Sequence, residues 1–115
     1  MSKTILIVDD EPILLSIFRR HLSKKGFAVL SAVSGEEALE IFEQHASIIA
    51  AVVLDINLHG ELTGWDVVRH IQGTPFTPKI VCMSGEPAPF TAPTINAFLE
   101  KPFQVRKLIE LIEVL

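Results

Sequence analysis

Short apolar runs alternate along the chain with stretches in which apolar residues recur every three to four positions. Residues 5–8 form a near-continuous apolar run, the pattern of a parallel strand buried on both faces. Asp9, Asp10 and Glu11 end it. Pro12 suits a first helical position, where its missing N–H would be unpaired anyway. Leu14, Ile17 and Phe18 then fall at helical spacing, with Arg19, Arg20, Lys24 and Lys25 between or after them. These basic residues complement the dipole at a helix end, and Gly26 fits the position just past it.

Residues 27–31 read as a second strand. Ser34 and Glu37 have capping-box spacing ahead of a helix whose apolar face is Ala38, Leu39, Ile41 and Phe42. Residues 48–56 are the most hydrophobic run, broken only by Asp55, and read as the central strand. A polar loop over 57–63 leads to a short helix over 64–72 carrying Trp65, Val68 and Ile71. A turn cluster over 73–78 precedes a strand over 79–84. A short fifth strand is expected over 97–99, and a last helix over 105–115 carries Leu108, Ile109, Ile112 and Leu115.

Strands alternating with helices imply βαβ units, a parallel sheet and helices on both faces. One segment breaks the rhythm. Between Ser84 and Ala97 lie Pro87, Pro89 and Pro93, which push the residues before them out of the α region. The connection over 85–96 is therefore expected to be irregular and mostly extended, with at most one turn of helix.

In an open parallel sheet, ligands bind beyond the carboxyl ends of the strands. The first strand ends in Asp9 and Asp10, the third in Asp55 and the fourth in Ser84; Lys101 and Pro102 follow the fifth. If these strands are neighbours, three carboxylates, one hydroxyl and one ammonium share a cleft. Mg²⁺ suits that set, because it takes oxygen ligands and needs only one or two carboxylates beside waters and phosphate oxygens. Crowded carboxylates without a cation repel and raise one another's pKa. With the cation present, Asp55 is usable as a nucleophile toward phosphorus. Lys101 and the Ser84 hydroxyl are natural stabilisers of the transferring oxygens.

The motifs Ile5-Leu-Ile-Val-Asp-Asp-Glu-Pro12, Val52-Val-Leu-Asp-Ile-Asn57, Val81-Cys-Met-Ser-Gly85 and Phe98-Leu-Glu-Lys-Pro-Phe103 occur in this order and cover nearly the whole chain. In this the chain resembles the receiver domains of response regulators in two-component signalling, of the CheY-like type. The resemblance implies one receiver domain over 1–115, with a five-stranded parallel sheet in the flavodoxin-like order 2-1-3-4-5. It implies Asp55 as phosphoacceptor, receiving its phosphoryl group from a sensor histidine kinase or phosphotransfer protein. Asp10 would ligate Mg²⁺ directly and Asp9 mainly through water, with Asp55 and the main-chain carbonyl of Asn57 completing the protein ligands. Lys101, set by a cis peptide to Pro102, would bind the phosphoryl group. Ser84 and Phe98 match the switch positions, and Asn57 and Glu86 the positions that tune loss of the phosphoryl group.

Two departures from the family stand out. His59 occupies the fourth position after Asp55, where Pro is usual, and Gly64 lies nine positions on rather than eight. The loop between is thus one residue longer. Ser84 and Lys101 are 17 positions apart, several fewer than usual, so the family's fourth helix is expected to be shortened or missing. The proline segment is then itself a candidate moving part: phosphorylation would draw Ser84 inward and reorder residues 85–94, changing a partner surface.

Composition narrows the alternatives. There are 14 acidic and 10 basic residues, a formal charge of −4, which disfavours nucleic acid as a partner. The single cysteine, Cys82, excludes an internal disulfide and reads as a small buried hydrophobe. Neither a signal peptide nor a membrane span is evident, so a cytoplasmic protein is expected, a monomer or weak dimer with an unknown downstream partner. Within these residues nothing points to DNA binding or a second enzyme activity, so the chain is expected to act alone or as one piece of a longer protein. His21 and His70 are expected to be solvated, as is the basic face of the first helix; His59 lies near the site. Trp65 and Phe76 are expected to pack or to make loop contacts. Two other functions fit less well. A non-switching binding module with the same fold would leave the chemical residues unused. An aspartyl phosphohydrolase would need a second acid where Asn57 stands.

Overall fold

A computed structural model describes residues 3–87 and 92–115. Five strands, β1 (Thr4–Val8), β2 (Ala28–Ala32), β3 (Ile49–Asp55), β4 (Lys79–Ser84) and β5 (Ala97–Glu100), form one parallel sheet in the order 2-1-3-4-5. Four helices accompany them: α1 (Pro12–Lys24), α2 (Gly35–His45), α3 (Gly64–Gln72) and α4 (Val105–Val114). The expected flavodoxin-like arrangement is thus present. Strand ends differ from the apolar pattern by a residue or so, because pairing rather than hydrophobicity sets them.

Alternation along the strands divides the core into two layers. Leu6, Val8, Val52, Leu54, Ile80 and Cys82 point to the side covered by α2 and α3, where Ala38, Phe42, Val67 and Ile71 meet them. Ile5, Ile7, Val53, Val81 and Met83 point to the other, where Leu15, Phe18 and Leu22 of α1 and Leu108, Ile109 and Ile112 of α4 close over them. Residues 5–8 are fully buried, which is why that run is apolar throughout. Each such large side chain contributes about 1.5–3 kcal/mol on burial.

The helix ends follow from local chemistry. Pro12 occupies the first turn of α1. Gly26 adopts φ +93° just past its end, and the N–H groups of Gly26 and Phe27 donate to the carbonyls of Ser23 and Leu22 at 3.0 and 3.1 Å. Ser34 accepts from the Glu37 N–H at 3.1 Å, but the Glu37 carboxylate accepts from Val33 instead of closing the expected reciprocal box. The complete capping box is at α3, between Thr63 and Asp66.

No helix lies between β4 and β5 among the described residues. The expectation of at most one turn over 85–96 falls partly on residues 88–91, which lie outside the described residues. Residues 92–96 instead run irregularly along the α3 side. Gln72 Nε2 donates to the Thr94 carbonyl at 2.7 Å. Asn96 exchanges two hydrogen bonds with the Ile80 backbone, at 2.8 and 3.0 Å. Ile95 packs onto the core there. This strap carries the chain to β5 in few residues, and so fixes where Phe98 and Lys101 fall.

Candidate phosphoacceptor site

β1, β3 and β4 are adjacent, so their carboxyl ends deliver Asp9, Asp55 and Ser84 to one edge of the sheet. All three are buried. Asp9, Asp10 and Asp55 each bring a carboxylate oxygen within 4.8 Å of the others. Lys101 Nζ donates to Asp55 Oδ2 at 2.9 Å and to Asp9 Oδ2 at 3.3 Å. Its backbone N–H donates to the Ser84 carbonyl at 2.7 Å. The Lys101–Pro102 peptide is cis. Phe103, two residues on, stacks on Phe18 of α1 with ring centroids 6.1 Å apart, which anchors this turn to the core.

The main chain holds the two buried carboxylates. The Glu11 N–H donates to Asp9 Oδ1 at 2.9 Å, and the Asn57 N–H to Asp55 Oδ1 at 2.8 Å. Burial pushes the Asp9 carboxyl above the usual carboxylate range, and the Glu11 N–H and Lys101 offset this only in part. Burial also opposes the charge on Lys101, but Asp55 and Asp9 outweigh it and hold the ammonium above its ordinary pKa. For Asp10, partial burial is overcome by the ring and N–H of His59, which hold the carboxyl below the usual range. Both His59 groups contact Asp10 Oδ2, the backbone N–H at 3.1 Å.

Three carboxylates against one ammonium leave a local excess of two negative charges. The three grouped ligand candidates are all carboxylates, a set that fits a hard divalent cation such as Mg²⁺.

The residues expected at the switch and tuning positions share one cavity. Asn57, Trp65, Ser84, Glu86 and Phe98 line a cavity of about 300 Å³. Ser84 Oγ accepts hydrogen bonds from Asn57 Nδ2 at 3.2 Å and from the Glu86 N–H at 3.1 Å. Phe98 is half-buried and packs against the α2/α3 layer.

The lengthened loop after Asp55 is held at three points. Gly64 passes so close to β3 that a Cβ there would lie 2.5 Å from the Asp55 carbonyl oxygen and the Ile56 Cα. His59 reaches Asp10, and Glu36 of α2 accepts from the Leu62 N–H at 3.0 Å. The role of Glu36 carries no sequence signal, since an acid in a helix's first turn needs no partner beyond the dipole. The Thr63–Asp66 box did carry one, in the spacing Thr-x-x-Asp.

Other residues settle into structural places. Cys82 is fully buried, and burial pushes its thiol up to about 12. His21, His70, Arg19, Arg20, Lys24 and Lys25 are exposed. Trp65 packs partly against the core, and Phe76 meets Phe42 edge-on at 6.3 Å. No helix among the described residues is long and apolar enough to cross a membrane.

A parallel sheet in this order, with acids and a lysine gathered at its carboxyl edge, defines a receiver-type α/β protein. The family model of the response regulator receiver domain matches residues 5–113, and the chain belongs to that family. It is 33% identical over 112 residues to the sensor kinase CckA of Brucella abortus, covering 93% of this chain but 12% of that protein. It is 27% identical to the polar-differentiation response regulator DivK of Brucella ovis, over 98% of this chain and 95% of that one. The crystal structure of a response regulator receiver protein from Sinorhizobium medicae superposes with a TM-score of 0.87 at 34% identity, covering 98% of this chain and 93% of the other. The chain is therefore a response-regulator receiver domain of phosphorelay signalling.

Proposed function

We propose that Asp55 accepts a phosphoryl group from the phosphohistidine of a sensor histidine kinase or phosphotransfer protein. The observation that carries this is the Lys101 ammonium bridging Asp55 and Asp9 at the sheet's carboxyl edge. An Asp55 carboxylate oxygen attacks phosphorus, the P–N bond to the donor imidazole breaks, and the imidazole leaves with the bonding pair. Lys101 and the Ser84 hydroxyl receive the charge that spreads over the phosphoryl oxygens. Asp9, Asp10, Asp55 and the main-chain carbonyl of Asn57 would hold Mg²⁺, which when bound supplies neutralisation of the crowded carboxylates and polarisation of the phosphoryl oxygens.

Ser84 and Phe98 transmit the change to a partner surface through the cavity they share, and Asn57 and Glu86 govern how water reaches the acyl phosphate. The likeness to a sensor kinase and to a free-standing response regulator supports a histidine-kinase or phosphotransfer donor. Intact mass after incubation with Mg²⁺ and a small phosphodonor tests the proposal. Wild type is expected to gain one phosphoryl group and Asp55→Ala none. An adduct on both variants would overturn the assignment.

A further inference from the structure

Asn57 touches both halves of the site. Its backbone N–H donates to Asp55 Oδ1 at 2.8 Å, and its side-chain amide crosses to the next strand to donate to Ser84 Oγ at 3.2 Å. A serine hydroxyl has two acceptor lone pairs and one hydrogen to give. In Ser84 both lone pairs are engaged by N–H donors, one from Asn57 and one from the Glu86 backbone. The Ser84 hydrogen must therefore lie away from both. Ser84 as a residue is 3% exposed.

We infer that Asn57 is a positioning residue for Ser84: by filling a lone pair of the hydroxyl, its amide fixes Ser84 as a hydrogen-bond donor toward an anion carried on Asp55. This rests on the receiver reading, and extends it by routing an effect of residue 57 through the hydroxyl rather than through water. Asn57→Ala frees one lone pair. The hydroxyl can then rotate toward other acceptors, and part of its donor capacity toward the phosphoryl oxygens is lost. Asn57 is exposed on a loop, and the variant keeps both the N–H on Asp55 and the main-chain carbonyl, so the fold is retained.

The probe is beryllium fluoride with Mg²⁺, a phosphoryl mimic, titrated against the fluorescence of Trp65. This is the only tryptophan, and it lines the same cavity. One neutral hydrogen bond corresponds to about a 2- to 10-fold change in affinity. Asn57→Ala is expected to weaken binding by that factor in the wild-type background and to change nothing in a Ser84→Ala background. A role confined to holding the loop would show the same loss in both. Equal losses in the two backgrounds, or unchanged or tighter binding in Asn57→Ala, would overturn the inference. Wild type that binds no beryllium fluoride, by fluorescence or by amide shifts, would instead overturn the receiver reading on which it rests.

Discussion

Lys101→Met removes the ammonium that bridges two buried carboxylates. Asp9 and Asp55 are 0% and 4% exposed, and their contacts to Lys101 Nζ measure 3.3 and 2.9 Å. Truncating one partner of a buried ion pair costs about 3–5 kcal/mol, because the remaining charge is left uncompensated. The Lys101 side chain is 22% exposed, so solvent already screens the pair and the low end applies, about 3 kcal/mol. For a chain of this length about 1 kcal/mol corresponds to roughly 4 °C, giving a fall in Tm of about 12 °C in Mg²⁺-free buffer at neutral pH.

The pH dependence carries a sign. Asp9 already titrates above its unfolded value of 3.8, and without the ammonium it holds its proton to still higher pH. The folded state then binds more protons than the unfolded chain, so stability falls as pH rises. The deficit relative to wild type is small below about pH 4 and grows until pH passes the folded pKa of Asp9. Mg²⁺ should return much of the loss, because a cation held by the folded cluster and not by the unfolded chain would stabilise the fold. Thermal melts across pH, with and without Mg²⁺, read all three effects. A Tm within a degree or two of wild type, or a deficit independent of pH and Mg²⁺, would refute this account of the site.

Three further outcomes are expected. Asp9→Asn should raise Tm in Mg²⁺-free buffer at neutral pH, since burial disfavours the carboxylate it removes, and should shrink the Mg²⁺-dependent gain; a lower Tm with that gain intact would count against it. Gly64→Ala should cost about 1–3 kcal/mol by overpacking, because the new methyl meets β3 backbone 2.5 Å away; calorimetry showing unchanged stability would contradict that close approach. Cys82 should resist a thiol reagent in the native protein and react only as the chain unfolds. Burial pushes the thiol from its ordinary 9.0 up to about 12, so its contribution to stability is complete below pH 9 and is lost as pH rises toward 12. Labelling of the native protein at the rate of a free thiol would refute this.

Much of the fold and the site's composition is legible in the sequence. A parallel strand buried on both faces must be apolar along its length, so residues 5–8 and the run over 48–56 announce themselves, although Ile48 lies outside β3 and is exposed. The acids, the serine and the lysine that end the strands stand out because each follows such a run. What is hidden depends on neighbours remote in sequence. Nothing near Glu36 marks it as the acceptor of the Leu62 N–H, and nothing near Gln72 or Asn96 marks them as the partners that hold residues 92–96. These contacts form only after α2, α3 and the strands have packed. Ser34 and Glu37 show the converse: the spacing was right, but the carboxylate found the N–H of Val33 and left the box open.

Borohydride trapping tests the central claim most directly. The acyl phosphate formed with Mg²⁺ and a small phosphodonor is reduced to an alcohol, and the modified residue is located by peptide mass spectrometry. The account predicts conversion of residue 55 to homoserine and of no other acid in the cluster. Conversion at Asp9 or Asp10 with residue 55 intact would contradict it.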